Sequence, residues 1–223
     1  MADRAAPRIA AVGDAALLVT LGDELDLATN AFARRLAADV DARRPTMPGL
    51  GRPVPAHASV LVPFDPDELS EAALCELLGR ALDRSASSTA EPDIERAVEL
   101  PVAYGGADGP DLADVAERTG LTETEVMRLH ASVEYRVLAI GFVPGFAYLG
   151  VLPGALELPR RRSPRIRVPA GSVAIAGRQT AVYPFETPGG WHLIGRTEAR
   201  LWDADAGPPA RLAPGDRVRF VPA

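Results

Sequence analysis

Apolar positions at the start of the chain first alternate and then recur at helical spacing. Residues 8–21, RIAAVGDAALLVTL, alternate on either side of a Gly-Asp pair, which predicts two short strands joined by a turn. In 26–43, DLATNAFARRLAADVDAR, the residues Leu27, Phe32 and Leu36 are spaced for one helix face behind an Asp/Thr-rich start. The Pro/Gly-rich stretch 45–56 reads as a loop, and HASVLVPF at 57–64 as a strand. A second helix is predicted over 65–84, opened by acidic residues that suit the positive end of a helix dipole. With a further strand at 95–104, this order predicts a small α+β domain in which two helices pack on one antiparallel sheet.

The stretch SASSTAEPD at 85–93 is small, polar and ends near a proline, as a linker should. We place a domain boundary there, giving units 1–92 and 93–223. Two short helices are predicted at 109–120 and 121–132, the second with a capping box from Thr122 to Glu125. Beyond residue 135 the pattern changes to short β-type runs divided by Pro and Gly: YRVLAIGF, RIRVP, GSVAIAG, QTAVYP, GWHLIGRT and RVRFVP. Strands at such spacing predict a closed or sandwich-like β domain.

Composition narrows the chemistry. Apolar residues make up 47% and charged residues 24%, an ordinary globular balance, and the net charge of −6 disfavours a general nucleic-acid binder. All 24 basic residues are arginine. Without lysine there is no Schiff-base nucleophile and no lysine-bearing phosphate loop. The lone Cys75 cannot form an internal disulfide and is expected as a buried thiol on a helix face. No Cys/His set has metal-ligand spacing, so no metal is expected. The N-terminus lacks a basic, then apolar, leader, and no apolar run spans a bilayer; a cytoplasmic protein with no membrane contact is expected.

Several stretches carry chemical potential, each with a structural alternative. GFVPGFAYLG at 141–150 packs three glycines, a proline and three aromatics into ten positions, as a tight corner or a ligand-approach loop. PRRRSPRIRVP holds Arg160, Arg161, Arg162, Arg165 and Arg167, either a solvated charged loop or a set of guanidinium forks for carboxylate or phosphate. Strand alternation sends Arg165 and Arg167 to one face and Ile166 and Val168 to the other. AGSVAIAGRQT ends in Gln179 and Thr180, neutral hydrogen-bonding groups suited to an amide or carboxylate, or is a plain hairpin turning at Gly177. TPGGWHLIGRT places Trp191, His192 and Arg196 after a glycine turn. In LHASVEY, His130 and Glu134 are four apart and could share a helix face.

Taken together, YGGADGPDL, LHASVEY, GFVPGFAYLG, PRIRVPAGSVAIAGRQTAVYP, TPGGWHLIGRT and PGDRVRF closely resemble the allophanate hydrolase subunit 1 family, most nearly its 5-oxoprolinase branch. The likeness is strong over about 101–221 and looser before it, through GDAALLVTLGD and VPAHASVLVPFDP. It implies an α+β fold: a ferredoxin-like N-terminal domain followed by a cyclophilin-like β-barrel. It also implies one part of an ATP-dependent complex that opens 5-oxo-L-proline to L-glutamate. The implied partners are the paralogous barrel protein of that complex, its C-type subunit, and a third, its A-type subunit. The same family includes sporulation-kinase inhibitors and is similar to one half of the carboxyltransferase region of urea carboxylase. A histidine-kinase inhibitor and a carboxyltransferase-type subunit that acts on a small amide are therefore the alternative readings. Amide activation by phosphate needs oxyanion donors and cations. On that basis the expected site is a barrel groove closed by a partner. His130 and Tyr135 are expected at its rim, Arg165 as an anion clamp and Gln179 as amide reader. Tyr183, Trp191, His192 and Arg196 are expected as further substrate contacts, with Gly141, Gly145 and Gly171 allowing close backbone approach. The aromatics of 141–150 are expected to form a corner whose exposed rings meet the partner.

Overall fold

In the computed structural model, which describes residues 6–87 and 96–223, the N-terminal alternation forms a hairpin of β1 (Arg8–Ala11) and β2 (Ala16–Thr20), turning at Gly13. Helix α1 (Leu27–Asp41) follows, and its Asp26 N-cap carboxylate accepts from the Thr29 N–H at 2.7 Å. The loop expected at 45–56 contains a short strand, β3 (Val54–Pro55), beside β4 (Ser59–Pro63). Helix α2 (Glu71–Ser87) starts later than predicted, because Asp65, Asp67 and Glu68 belong to a turn that precedes it. The four strands form one antiparallel sheet in the order β1-β2-β4-β3.

Period two is visible in the burial. Leu17 and Val19 on β2 face the core with Val62 and Val60 directly opposite on β4. Leu74, Leu77, Leu78 and Ala81 supply the matching stripe from α2, and Phe32, Leu36 and Val40 from α1. Leu27, expected on that stripe, is 47% exposed at the first turn of α1. Cys75 is half-buried at the edge of the stripe rather than enclosed.

The chain divides into two units, Met1–Ile94 and Glu95–Ala223. The stretch predicted as a linker begins inside α2, and its remainder, with the boundary placed at 92/93, lies outside the described residues. The strand expected at 95–104 is β5 (Ala97–Tyr104), and it joins the second unit rather than the first sheet. Two helices follow, α3 (Leu112–Thr119) and α4 (Glu123–Ala131), the latter with the Thr122–Glu125 capping box in place.

The remaining strands are β6 (Glu134–Ile140), β7 (Ala147–Gly150), β8 (Arg165–Val168), β9 (Ser172–Ala176), β10 (Gln179–Val182), β11 (Thr187–Gly189), β12 (His192–Arg196) and β13 (Arg217–Pro222). Seven strands close into a barrel in the order β10-β7-β6-β13-β5-β12-β9. Within it β13 and β5 run parallel, while the other barrel pairs are antiparallel. The closed alternative is thus the one formed, and the fold is mixed α and β with a seven-stranded barrel. Strands β8 and β11 stay outside it as a two-stranded arm.

The run VAIA on β9 explains how the arm docks. Val173 and Ile175 point into the barrel, while Ala174 and Ala176 point outward into a second apolar cluster. Val182 points in and Ala181 out on β10, as do Ile194 and Leu193 on β12. Small outward residues leave a shelf on which Val168, Trp191, Tyr183 and Phe146 pack. Alternation on β8 itself fails: Val168 is buried but Ile166 is 84% exposed, where the register with β11 shifts between Thr187 and Gly189.

Close backbone contact makes a sharp prediction. A Cβ at Gly109 would lie 2.2 Å from the Ile194 carbonyl oxygen, whereas one at Gly79, inside α2, meets nothing. Gly109→Ala is expected to lower unfolding free energy by about 1–3 kcal/mol. Gly79→Ala is expected to raise it by about 0.5–1 kcal/mol. Urea denaturation of the two variants checks both signs.

Candidate functional site

The barrel interior takes two residues expected at a groove rim. His130, near the end of α4, is fully buried. Thr180 Oγ1 donates its one proton to the Ala174 carbonyl at 3.1 Å, so it accepts from His130 Nε2–H at 2.9 Å. Nδ1 is then an acceptor, and the Tyr104 hydroxyl donates to it at 2.7 Å. The Tyr135 hydroxyl donates to the His130 carbonyl at 2.9 Å, and Phe220 covers the imidazole at 4.6 Å between centroids. Burial pushes the His130 pKa down to about 3 and pushes both tyrosines up. Such enclosed, uncharged groups hold the barrel together and do not line a groove. Glu134, expected on the same helix face as His130, instead opens β6 and pairs with Arg217 at 3.3 Å.

Arg165 is likewise not a free anion clamp. Its guanidinium grips Asp111 through two bonds of 2.8 and 2.7 Å, and Arg161 adds a third at 2.8 Å. The Leu193 N–H donates to the same carboxylate at 2.7 Å. Burial opposes ionisation of Asp111, but the Arg165 and Leu193 hydrogen bonds and the two guanidinium charges outweigh it and hold the carboxyl below its usual range. This cluster straps the arm to the start of α3 and to β12. Arg167 pairs with Glu186 at 2.8 Å on the surface. His192 is buried behind the arm, with Nε2–H donating to the Pro159 carbonyl at 3.0 Å and Nδ1 facing Asp114 at 3.7 Å.

Of the three glycines expected to admit a ligand, Gly171 and Gly145 serve the chain's own packing. A Cβ at Gly171 would meet the Thr197 carbonyl at 2.3 Å, and one at Gly145 would meet Trp202 Cβ at 3.0 Å. Gly141 has only the Tyr148 ring nearby, at 3.9 Å. The 141–150 stretch is the corner and second strand of the β6–β7 hairpin. Phe146 within it is buried, and the exposed ring is Phe142, 60% accessible with φ of 68°.

What the structure does bring together lies on the outer face of the barrel. Phe146 is the hub: Tyr148 stands 4.9 Å away, Tyr183 5.3 Å and Trp191 5.9 Å, all edge-on, with Phe142 at 5.4 Å. Gly189 must be glycine here, since a Cβ would sit against the Tyr183 hydroxyl. Tyr148 and Gly150 share the outward face of β7, and Gly150 pairs with Gln179, so Gln179 projects to the same face as Tyr148. Arg160 completes the edge. Burial raises the pKa of both Tyr148 and Tyr183, and the Arg160 charge acts against that rise at each hydroxyl. Arg160 is exposed and has no ion-pair partner among the described residues. The result is a rigid aromatic floor that is itself buried, with a guanidinium, a phenol and an amide at its accessible edge, groups able to meet the carboxylate or amide of a small molecule. Gln179, Tyr183 and Trp191 were expected members. Tyr148 and Arg160 were not singled out; the outward position of Tyr148 in AYLG was the available signal, and nothing local separates Arg160 from its four neighbouring arginines. Arg196 lines a different cleft, together with Gly171 and Tyr183, two other residues expected at the site.

Residues 7–212 match the family described as carboxyltransferase domain, subdomain C and D. The chain is 46% identical over 212 residues to the 5-oxoprolinase B subunit of Escherichia coli O157:H7, covering 95% of this chain and 94% of that one. It is 39% identical to the 5-oxoprolinase B subunit of Bacillus subtilis (strain 168), over 96% and 92%. The crystal structure of TTHA0988 superposes with a TM-score of 0.80 at 41% identity; it covers 93% of this chain, which spans only 39% of that longer one. A shorter similarity, 32% over 121 residues, links 48% of the chain to 6% of the urea amidolyase of Saccharomyces cerevisiae.

The enclosed imidazole sets a pH dependence. With a folded pKa near 3 against an ordinary value of 6.5, the unfolded chain takes up a proton that the folded chain refuses. The stability that neutral His130 contributes is full above about pH 6.5 and is lost as pH falls towards 3. Between pH 6.5 and 5 the loss is about 2 kcal/mol. Denaturation midpoints at pH 7 and pH 5 are expected to differ less in His130→Gln than in the parent protein. An equal difference in both would show that His130 is not the titrating group.

Proposed function

Since the chain belongs to the family of carboxyltransferase domains, subdomains C and D, we propose that it serves as the B-type subunit of a 5-oxoprolinase. The complex would couple ATP hydrolysis to the opening of 5-oxo-L-proline, giving L-glutamate, ADP and phosphate. The observation that carries this reading is 46% identity to a protein of that name along nearly the whole of both chains. The aromatic floor supports it: a five-membered lactam is planar at its amide and carries one carboxylate. In this reading Arg160 takes the carboxylate, Gln179 and Tyr148 meet the amide, and the buried Phe146, Tyr183 and Trp191 support them from beneath.

Partners complete the site. A C-type subunit of related barrel ancestry and an A-type subunit would close over the exposed outer face, where Phe142 offers a ring to them. ATP fits these partners better than this chain. Helix α3 opens beside the Asp111 carboxylate and α4 beside Glu123 and Glu125, which repel phosphate where helix N-termini usually attract it. The protein would act in the cytoplasm, and among the described residues no helix is long and apolar enough to cross a membrane. The sheet order β1-β2-β4-β3 supports a ferredoxin-like first domain with β1 in the place of its last strand, and the seven-stranded closure supports a cyclophilin-like second domain. A carboxyltransferase-type role on a small amide is the second reading, favoured by the similarity to urea amidolyase.

Glutamate release from 5-oxo-L-proline and ATP tests the assignment. The assay compares this chain alone, the A-type and C-type subunits without it, and all three together. Activity is expected only from the full mixture; full activity without this chain would refute it. Arg160→Ala is expected to reduce kcat/KM of the mixture by roughly 10- to 100-fold, and Tyr148→Phe by about tenfold. Unchanged kinetics in both would move the substrate away from this face.

A further inference from the structure

A cleft of about 620 Å³ in the second unit shares Tyr183 with the site above and is otherwise built from other residues. Its walls include Arg196, Arg200, Asp108, Glu198 and the small residues Ala103, Ala170 and Ala199. The segment YGGADG builds one side of it. Gly105 and Gly106 turn at φ of 71° and 54°, positions where a side chain would be strained. The Gly109 N–H closes the turn on the Gly105 carbonyl at 2.8 Å, and the Gly105 N–H donates to the Ile194 carbonyl at 3.1 Å. With Gly109 pressed against Ile194, the loop is pinned to β12 and Asp108 is held half-buried in the cleft wall. Opposite strand neighbours of Arg196 are Ala103 and Ser172, and its stem passes over Gly171, whose missing Cβ would be 3.5 Å from Arg196 Cγ.

Of the four charged residues here Arg200 is spent on Asp203 at 3.1 Å, while Arg196 and Glu198 are exposed and Asp108 is half-buried. Among the described residues Arg196, Asp108 and Glu198 have no ion-pair partner, although opposite signs line one cleft. A simple anion would satisfy Arg196 and face two carboxylates; a simple cation would do the reverse. A molecule bearing a carboxylate and an ammonium on neighbouring atoms answers both, with the carboxylate on the guanidinium fork and the ammonium towards Asp108 and Glu198. We propose that this cleft binds a free α-amino acid. The proposal rests on the charge pattern and stands apart from the reaction assigned above. If that reaction holds, the cleft separates product from substrate, because opening a lactam creates an ammonium group that the ring lacks.

Calorimetric titration of the chain alone, without ATP or partners, tests this with L-alanine, L-glutamate, N-acetyl-L-alanine and acetate. Saturable binding of at least one of the two amino acids is expected. N-acetyl-L-alanine and acetate should bind at least about tenfold more weakly, and Arg196→Ala and Asp108→Asn should each weaken amino-acid binding by about tenfold. Arg80→Ala on α2 serves as the charge control, and thermal unfolding confirms that each variant is folded. No saturable binding of either amino acid, equal binding of the acetylated compound, or affinity unchanged in both cleft variants would overturn the proposal. Because no turnover is measured, such a result would leave the oxoprolinase reading intact.

Discussion

The barrel closes around one imidazole. His130 reaches from α4 into the interior and is hydrogen-bonded there to Tyr104 on β5 and Thr180 on β10, while its backbone carbonyl receives Tyr135 from β6 and its ring lies under Phe220 from β13. Thr180 passes the chain on to Ala174 of β9. Five strands are thereby referred to one side chain. A buried polar group is costly when unsatisfied, so every donor and acceptor in this relay must be met at once. That requirement fixes register and strand neighbours more tightly than apolar packing alone, which tolerates substitution when volume is kept.

The outer surface inherits its shape from this interior. Strands β9 and β10 place large residues inward and small ones outward, because the barrel volume has to be filled while the arm has to lie close. Phe146, Tyr183 and Trp191 occupy the shelf left by Ala174, Ala176 and Ala181, and the Asp111 cluster with Arg161 and Arg165 straps the arm over it. A buried carboxylate that accepts four hydrogen bonds costs much to break, so the arm is held and the aromatic floor stays rigid. Rigidity suits recognition of a flat ligand, since little side-chain freedom is left to lose on binding. Tyr148, Gln179 and Arg160 border that floor and keep accessible surface.

Local chemistry was legible in the sequence where its partners are local. The Thr122–Glu125 box closes within one helical turn, the Gly13 and Gly177 turns lie between alternating runs, and α1 and α2 follow their apolar stripes. Strand content after residue 135 was legible for the same reason. Short β3 and β11 were not, because two or three residues carry no period.

The amino-acid sequence by itself determined most of the elements, the absence of lysine chemistry, and the family resemblance. Only the tertiary structure decided that β5 belongs to the barrel, through parallel pairing with β13 at the far end of the chain. It also decided that His130 and Tyr135 are enclosed and that Arg165 is spent on Asp111, 54 residues away. Burial and ion pairing depend on neighbours supplied by distant segments, and a residue's type and local spacing do not contain them. Tyr148 and Arg160 emerged only when β7, β10 and the arm were set side by side, since a site on the outside of a barrel exists only after the barrel has closed.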